Sequence, residues 1–175
     1  CDGTVYTPPA GVYSTLEKVS GLFRLTLRNQ TVFNFDALGR LASIRDQNSN
    51  LTTLIYAGNS LGQVIAPDGR AINFTYNGLG RLAQITDPLN RTVGYGYDTA
   101  GNLITVTDLN NQVTTFTYDA NHRLLSVTDA NNHTFVTNVY NSEGRVIEQY
   151  DAQNHKTTFD YDILKALIGV AIGLA

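Results

Sequence analysis

The sequence predicts an all-β fold built from consecutive antiparallel β-hairpins, about 21 residues each, laid into a twisted β-strip or spiral. Three observations predict it. An aromatic residue recurs at Phe35, Tyr56, Tyr76, Tyr97, Tyr118, Tyr140 and Tyr161, at spacings of 21, 20, 21, 21, 22 and 21 by subtraction. The text around these anchors is alike: Phe35-Asp-Ala-Leu-Gly-Arg-Leu41, Tyr76-Asn-Gly-Leu-Gly-Arg-Leu82, Tyr97-Asp-Thr-Ala-Gly-Asn-Leu103 and Tyr140-Asn-Ser-Glu-Gly-Arg-Val146. Aromatics also pair at spacing two, as Phe33 and Phe35, Phe74 and Tyr76, Tyr95 and Tyr97, Phe116 and Tyr118, and Phe159 and Tyr161. Residues at i and i+2 share one face of a strand, so these ten form rows.

The unit from Tyr97 to Tyr118 shows each element. Asp98-Thr-Ala-Gly101-Asn102 is a turn, with a short acceptor side chain followed by residues that tolerate positive φ. Leu103-Ile-Thr-Val-Thr107 is a β-branched run and reads as a strand. Asp108-Leu-Asn-Asn111 is a second turn, and Gln112-Val-Thr-Thr-Phe-Thr-Tyr118 the returning strand. The same logic assigns turns to Asp36, Gly39, Gly80, Asp87, Asp98, Gly101, Asp108, Asp119, Asp129, Gly144 and Asp151. In the Tyr56 unit Asp68 falls 12 residues after the anchor, where Asp87 falls 11 after Tyr76. That spacing predicts one extra residue in the first arm, two fewer in the second, and a bulge or shifted register.

Three segments follow. Residues 1–30 form a lead-in with the first strands, 31–162 the repeat array, and 163–175 an apolar tail read as a degenerate strand or a short helix. Thr7-Pro-Pro-Ala-Gly11 cannot enter a central strand. The tail is too short for a membrane span, which needs about 20 residues. Cys1 excludes an internal disulfide, since it is the single cysteine; it is read as marking where the segment begins rather than as an acylation site. A chain without Met is expected to be processed or part of something longer.

Composition narrows function mainly by exclusion. A formal charge of −3, with Arg spread along the repeats, gives no basic stripe for nucleic acid. Asp46, Asp68, Asp87, Asp108, Asp129 and Asp151 recur once per repeat without a second carboxylate nearby, so turn chemistry is favoured over a calcium edge. His122, His133 and His155 stand at predicted turns with repeat spacing, which is not that of a zinc motif. No nucleophile–base arrangement is present, so no catalytic, metal or cofactor residues are assigned and the chain is not expected to be an enzyme. Asn50, Asn90 and Asn132 begin sequons at turns and are the candidate glycosylation sites. Aromatic rows also suit sugar stacking, so an adhesion module binding carbohydrate is the alternative function.

These units resemble the Rhs, or Tyr-Asp (YD), repeat family. The resemblance rests on Phe35-Asp36…Gly39-Arg40-Leu41, Tyr76…Gly80-Arg81-Leu82…Ile85-Thr86-Asp87, Tyr97-Asp98…Gly101-Asn102-Leu103…Thr107-Asp108 and Tyr118-Asp119…Arg123-Leu124…Val127-Thr128-Asp129. Departures preserve turn geometry: Asn77 and Asn141 replace Asp, and Asn111, Asn132 and Asn154 stand near expected glycines. The family's aspartate-centred self-cleaving core has no counterpart here. The resemblance implies a structural, non-catalytic part of a secreted or cell-surface protein, either a β-shell around a toxic domain or an extracellular fibre. Its implied partners are neighbouring repeats of a longer parent chain, or further copies through self-association.

Overall fold

The structure is a computed structural model, and it describes residues 3–161; Cys1 and the apolar tail 163–175 lie outside them. The described residues contain strands and turns and no helix. The strands are β1 Thr4–Tyr6, β2 Thr15–Val19, β3 Leu22–Thr26, β4 Val32–Phe35, β5 Leu41–Arg45, β6 Leu51–Ala57, β7 Ser60–Ile65, β8 Ala71–Tyr76, β9 Leu82–Thr86, β10 Thr92–Tyr97, β11 Leu103–Thr107, β12 Val113–Tyr118, β13 Leu124–Thr128, β14 Thr134–Tyr140, β15 Val146–Tyr150 and β16 Lys156–Thr158. The chain divides into two compact units, one ending at Val93 and one beginning at Gly94. In the first, β1 to β9 pair in chain order; in the second, β10 to β16 do the same. Every pairing is antiparallel between sequence neighbours, as the hairpin reading expects.

The register explains which side chains share a face. Phe33 stands opposite Ile44 and Phe35 opposite Leu41. Phe74 likewise faces Ile85 and Tyr76 faces Leu82, while Phe116 faces Val127 and Tyr118 faces Leu124. Directly opposed residues lie on one face, so each aromatic row is interleaved with aliphatic side chains. The pairing shifts by one residue at Phe35, Tyr56, Tyr76, Tyr97, Tyr118 and Tyr140 alike. The extra residue sits on the partner strand, at Ala42, Ala83, Ile104 and Leu125, for example. This bulge turns a spacing of three into one face, so that Leu41 and Ile44, or Leu124 and Val127, line up together. Period-two reasoning addresses the returning strands alone and misses their aliphatic partners for this reason.

The opposite face is polar and pairs with itself. Asn34 donates to Ser43 Oγ at 3.0 Å, Gln63 to Asn73 Oδ1 at 2.7 Å, and Thr117 and Ser126 hydroxyls meet at 2.6 Å. Within each unit the strands supply one layer, and complete burial is rare. Val32 and Val127 are the buried hydrophobic residues among those described, and Asn138 the buried polar one. Asn138 interrupts the apolar row, facing Gln149. Its amide donates to Leu124 O at 3.0 Å and its carbonyl accepts from Gln149 Nε2 at 2.9 Å, so the polar atoms are satisfied.

The Tyr56 unit is irregular in a different place from the one its spacing predicts. Its first turn is shortened to Gly58-Asn59, with Ala57 paired to Ser60. The second turn then starts one residue early, at Ala66, whose N–H donates to Arg70 O at 2.8 Å. Asp68 therefore occupies the third turn position instead of the first, and β7 and β8 pair without a shift. The first arm has lost a residue; the second is normal.

Gly96 marks a close approach on the polar face, because a Cβ there would collide with Thr105 Oγ1. Gly96→Ala should destabilise the second unit by about 1 kcal/mol or more, as overpacking does. Adding Thr105→Ala should remove most of that penalty in a urea-denaturation double-mutant cycle; equal penalties with and without Thr105 would show the collision to be unimportant.

Candidate functional site

The chemistry-bearing residues gather at the two ends of each hairpin, in turns of one design. The turn has five residues. At the anchor end it runs Asp36–Arg40, Asn77–Arg81, Asp98–Asn102, Asp119–Arg123 and Asn141–Arg145. At the far end it runs Asp46–Asn50, Asp87–Arg91, Asp108–Gln112, Asp129–His133 and Asp151–His155. In each, the first residue's N–H donates to the fifth residue's carbonyl, and the fourth N–H to the first carbonyl. The fourth residue takes positive φ, from 96° at Gly101 to 61° at Asn111, with His122 at 62°. Glycine adopts this region freely and Asn tolerates it, which is why Asn90, Asn111, Asn132 and Asn154 stand where other turns use glycine.

The first side chain closes the turn. Asp36 Oδ1 accepts from Leu38 N and Arg40 N, both at 2.9 Å. Asp46, Asp87, Asp108, Asp119, Asp129 and Asp151 repeat this double bond, and Asn77 and Asn141 make it with their amide oxygen. Such donation favours the ionised form. The N–H of Arg40 holds Asp36 below its ordinary 3.8, as those of Arg123, His133 and His155 hold Asp119, Asp129 and Asp151. At Asp87 burial pushes upward, and the N–H and side chain of Arg91 outweigh it.

A second device joins successive repeats at the anchor end. Arg40 pairs with Asp36 Oδ2 at 2.8 Å and lies 4.2 Å from the centre of the Tyr56 ring in the next repeat. Arg123 does the same between Asp119, at 2.7 Å, and the Tyr140 ring, at 4.6 Å. Arg145 lies 5.4 Å from the Tyr161 ring. Each of these phenols donates back across the joint, Tyr56 to Leu41 O at 3.0 Å, Tyr140 to Leu124 O at 2.8 Å and Tyr161 to Val146 O at 2.9 Å. Anchors two strands apart are separated by roughly 9–10 Å, beyond the range of direct ring stacking. The guanidinium fills that gap. A ring–ring contact does occur between Tyr6 and Phe23, with centroids 6.0 Å apart.

The remaining sequence candidates are dispersed. His133 and His155 occupy the fifth position of far-end turns, with Nδ1 at 3.5 Å and 2.9 Å from their own Asp. His122 is the fourth residue of an anchor turn, and its Nδ1 lies 2.7 Å from Asn102 Oδ1. Among the described residues no three His, Cys, Asp or Glu side chains are grouped to hold a metal. Asn90 and Asn132 are exposed at fourth positions, whereas the Asn50 amide donates to Asp46 Oδ2 at 2.7 Å. The Asp–Arg–Tyr joint itself was missed from sequence; its signal is the Arg five residues after an anchor, placed to meet the following anchor.

Comparison with known proteins agrees with this geometry. The RHS repeat family model matches residues 57–92, 76–111 and 97–134. No curated protein sequence matches the chain. Among solved structures the chain is similar to the crystal structure of TcdB2-TccC3-Cdc42, with a TM-score of 0.58 and 14% identity over 85% of this chain. It is also similar to the Photorhabdus luminescens Tc holotoxin pore, with a TM-score of 0.57 and 14% identity over 85% of this chain. TcdB2-TccC3 without its hypervariable C-terminal region gives 0.56 and 15% over the same share. Identities this low speak for the fold. The chain spans 10% of the length of each of these three chains.

Because Asp36, Asp87, Asp119, Asp129 and Asp151 titrate below 3.8 in the folded chain, their contribution is complete above that value and is lost as pH falls through the lowered values. Urea midpoints should therefore fall as pH drops from about 5 to about 3. An Asp36→Asn/Asp119→Asn variant keeps the turn acceptor and should show a smaller fall; an identical fall would mean these carboxylates do not set acid stability.

Proposed function

The chain carries RHS repeats over residues 57–134, and on that premise we propose that it is a wall segment of a secreted or cell-surface β-shell. Its role is structural. The observation that carries this reading is the serial pairing of strands through one repeated turn, with joints clamped by arginine, a construction that extends a wall and leaves its faces plain. The likeness to TcdB2-TccC3 structures, of which this chain spans 10%, supports a segment that lies among further repeats of a longer parent. What the wall would enclose is a toxic domain, as the resemblance implies.

A fibre is the second reading, favoured by one feature. β1 and β16 each pair on one side among the described residues, and unpaired edges recruit strands. Carbohydrate adhesion is less well supported, since guanidinium groups already lie over Tyr56, Tyr140 and Tyr161.

Electron microscopy of the purified chain at micromolar concentration separates the readings. Discrete particles are the expected result for a wall segment. Regular fibres with a repeating subunit would overturn it in favour of self-assembly.

A further inference from the structure

The anchor-end joint between Asp98 and Tyr118 departs from its equivalents in one respect. Its turn begins with Asp98 but ends in Asn102, where the equivalent turns end in Arg40, Arg123 and Arg145. Asn102 Nδ2 donates to Asp98 Oδ2 at 2.8 Å, taking the guanidinium's place on the carboxylate but falling short of the next ring. Since that amide nitrogen faces Asp98, the amide oxygen faces His122, whose Nδ1 must be the donor at 2.7 Å. Among the described residues the Tyr118 ring carries no cation, and its hydroxyl makes none of the cross-joint bonds seen at Tyr56, Tyr140 and Tyr161.

The charge ledger of the joint is also open. Asp36 and Asp119 each have an arginine, and Asp98 has a neutral amide. The shortened Tyr56 unit makes the contrast plain: its two-residue turn has neither the Asp nor the Arg, so losing both leaves no charge behind. At Asp98 the arginine alone is missing. The backbone N–H groups of Asn102, Gly101 and Ala100 act on the Asp98 carboxylate, while Oδ2 takes one amide hydrogen and retains acceptor capacity.

We propose that the Asp98–Tyr118 joint is a binding seat for an arginine side chain supplied by a second polypeptide. The incoming guanidinium would bond Asp98 Oδ2 and lie on the Tyr118 ring, repeating in trans the arrangement that Arg40 and Arg123 make in cis. Arginine suits the seat better than lysine because its planar fork bonds the carboxylate and stacks on the ring at once. Asp98, Asn102, Tyr118 and His122 all belong to the second unit, so the seat is complete within it. It does not depend on the wall reading.

The test is a two-dimensional NMR titration of the chain with N-acetyl-arginine-amide, and separately with N-acetyl-lysine-amide. Saturable shifts at Asp98, Asn102 and Tyr118 are expected, with lysine weaker by about fivefold or more. In Asn102→Arg the seat is filled from within, so the shifts should vanish and thermal stability should rise. Tyr118→Leu, which keeps an apolar partner for Leu124, should also abolish binding. Shifts that fail to saturate, that are equal for both probes, or that persist in Asn102→Arg would overturn the proposal.

Discussion

Most of the turns that set the repeat share one interaction: an Asp or Asn side-chain oxygen accepting two backbone N–H groups inside a five-residue turn. A hairpin turn of this kind exposes amides that the strands cannot pair. The side chain of Asp36, Asp46 or Asp87 pairs two of them and so fixes where one strand stops and the next begins. Since a one-residue slip in a strand reverses every side chain's face, a turn of fixed length is what keeps the aromatic rows on one side through many hairpins. At Asp36 the Arg40 N–H on Oδ1 also holds the carboxyl in its charged form, and the other oxygen, Oδ2, recruits the arginine at position five.

That fixed turn matters more here than in a two-layered protein. Very few side chains are fully withdrawn from water in either unit, so the ordinary reward for ordering a chain is small. The lateral contacts must compensate. Aromatic rings stand against Leu, Ile and Val across the hairpins, the bulge beside the anchors from Phe35 to Tyr140 brings those aliphatic residues onto the right face, and Asp–Arg–Tyr joints link one hairpin to the next. Stability accumulates along the series rather than in a central core, which is how repeat architectures are stabilised.

Much of this was legible in the sequence because it repeats. The anchor period and the Asp, Gly and Asn punctuation gave the strands, their antiparallel pairing and the fold class. The rest was hidden for physical reasons. A bulge changes period two to a spacing of three, so Leu41 with Ile44 does not look like one face until the register is known. Asp68 looked like a displaced first residue, but a turn can keep its backbone form with Ala66 leading and Asp68 third. The arginine joints were obscured because each links residues 16 or 17 apart in sequence, Arg40 with Tyr56 and Arg123 with Tyr140, across two strands.

Amide hydrogen exchange at the third turn positions tests the central claim most directly. Leu38, Asn48, Leu79 and Leu89 lie in exposed turns, yet their N–H groups donate to Asp36, Asp46, Asn77 and Asp87. The account predicts protection at these amides comparable to that of the flanking strands. Exchange at the rate of open loop amides would show that the side-chain oxygens do not hold the turns, and that the register is set elsewhere.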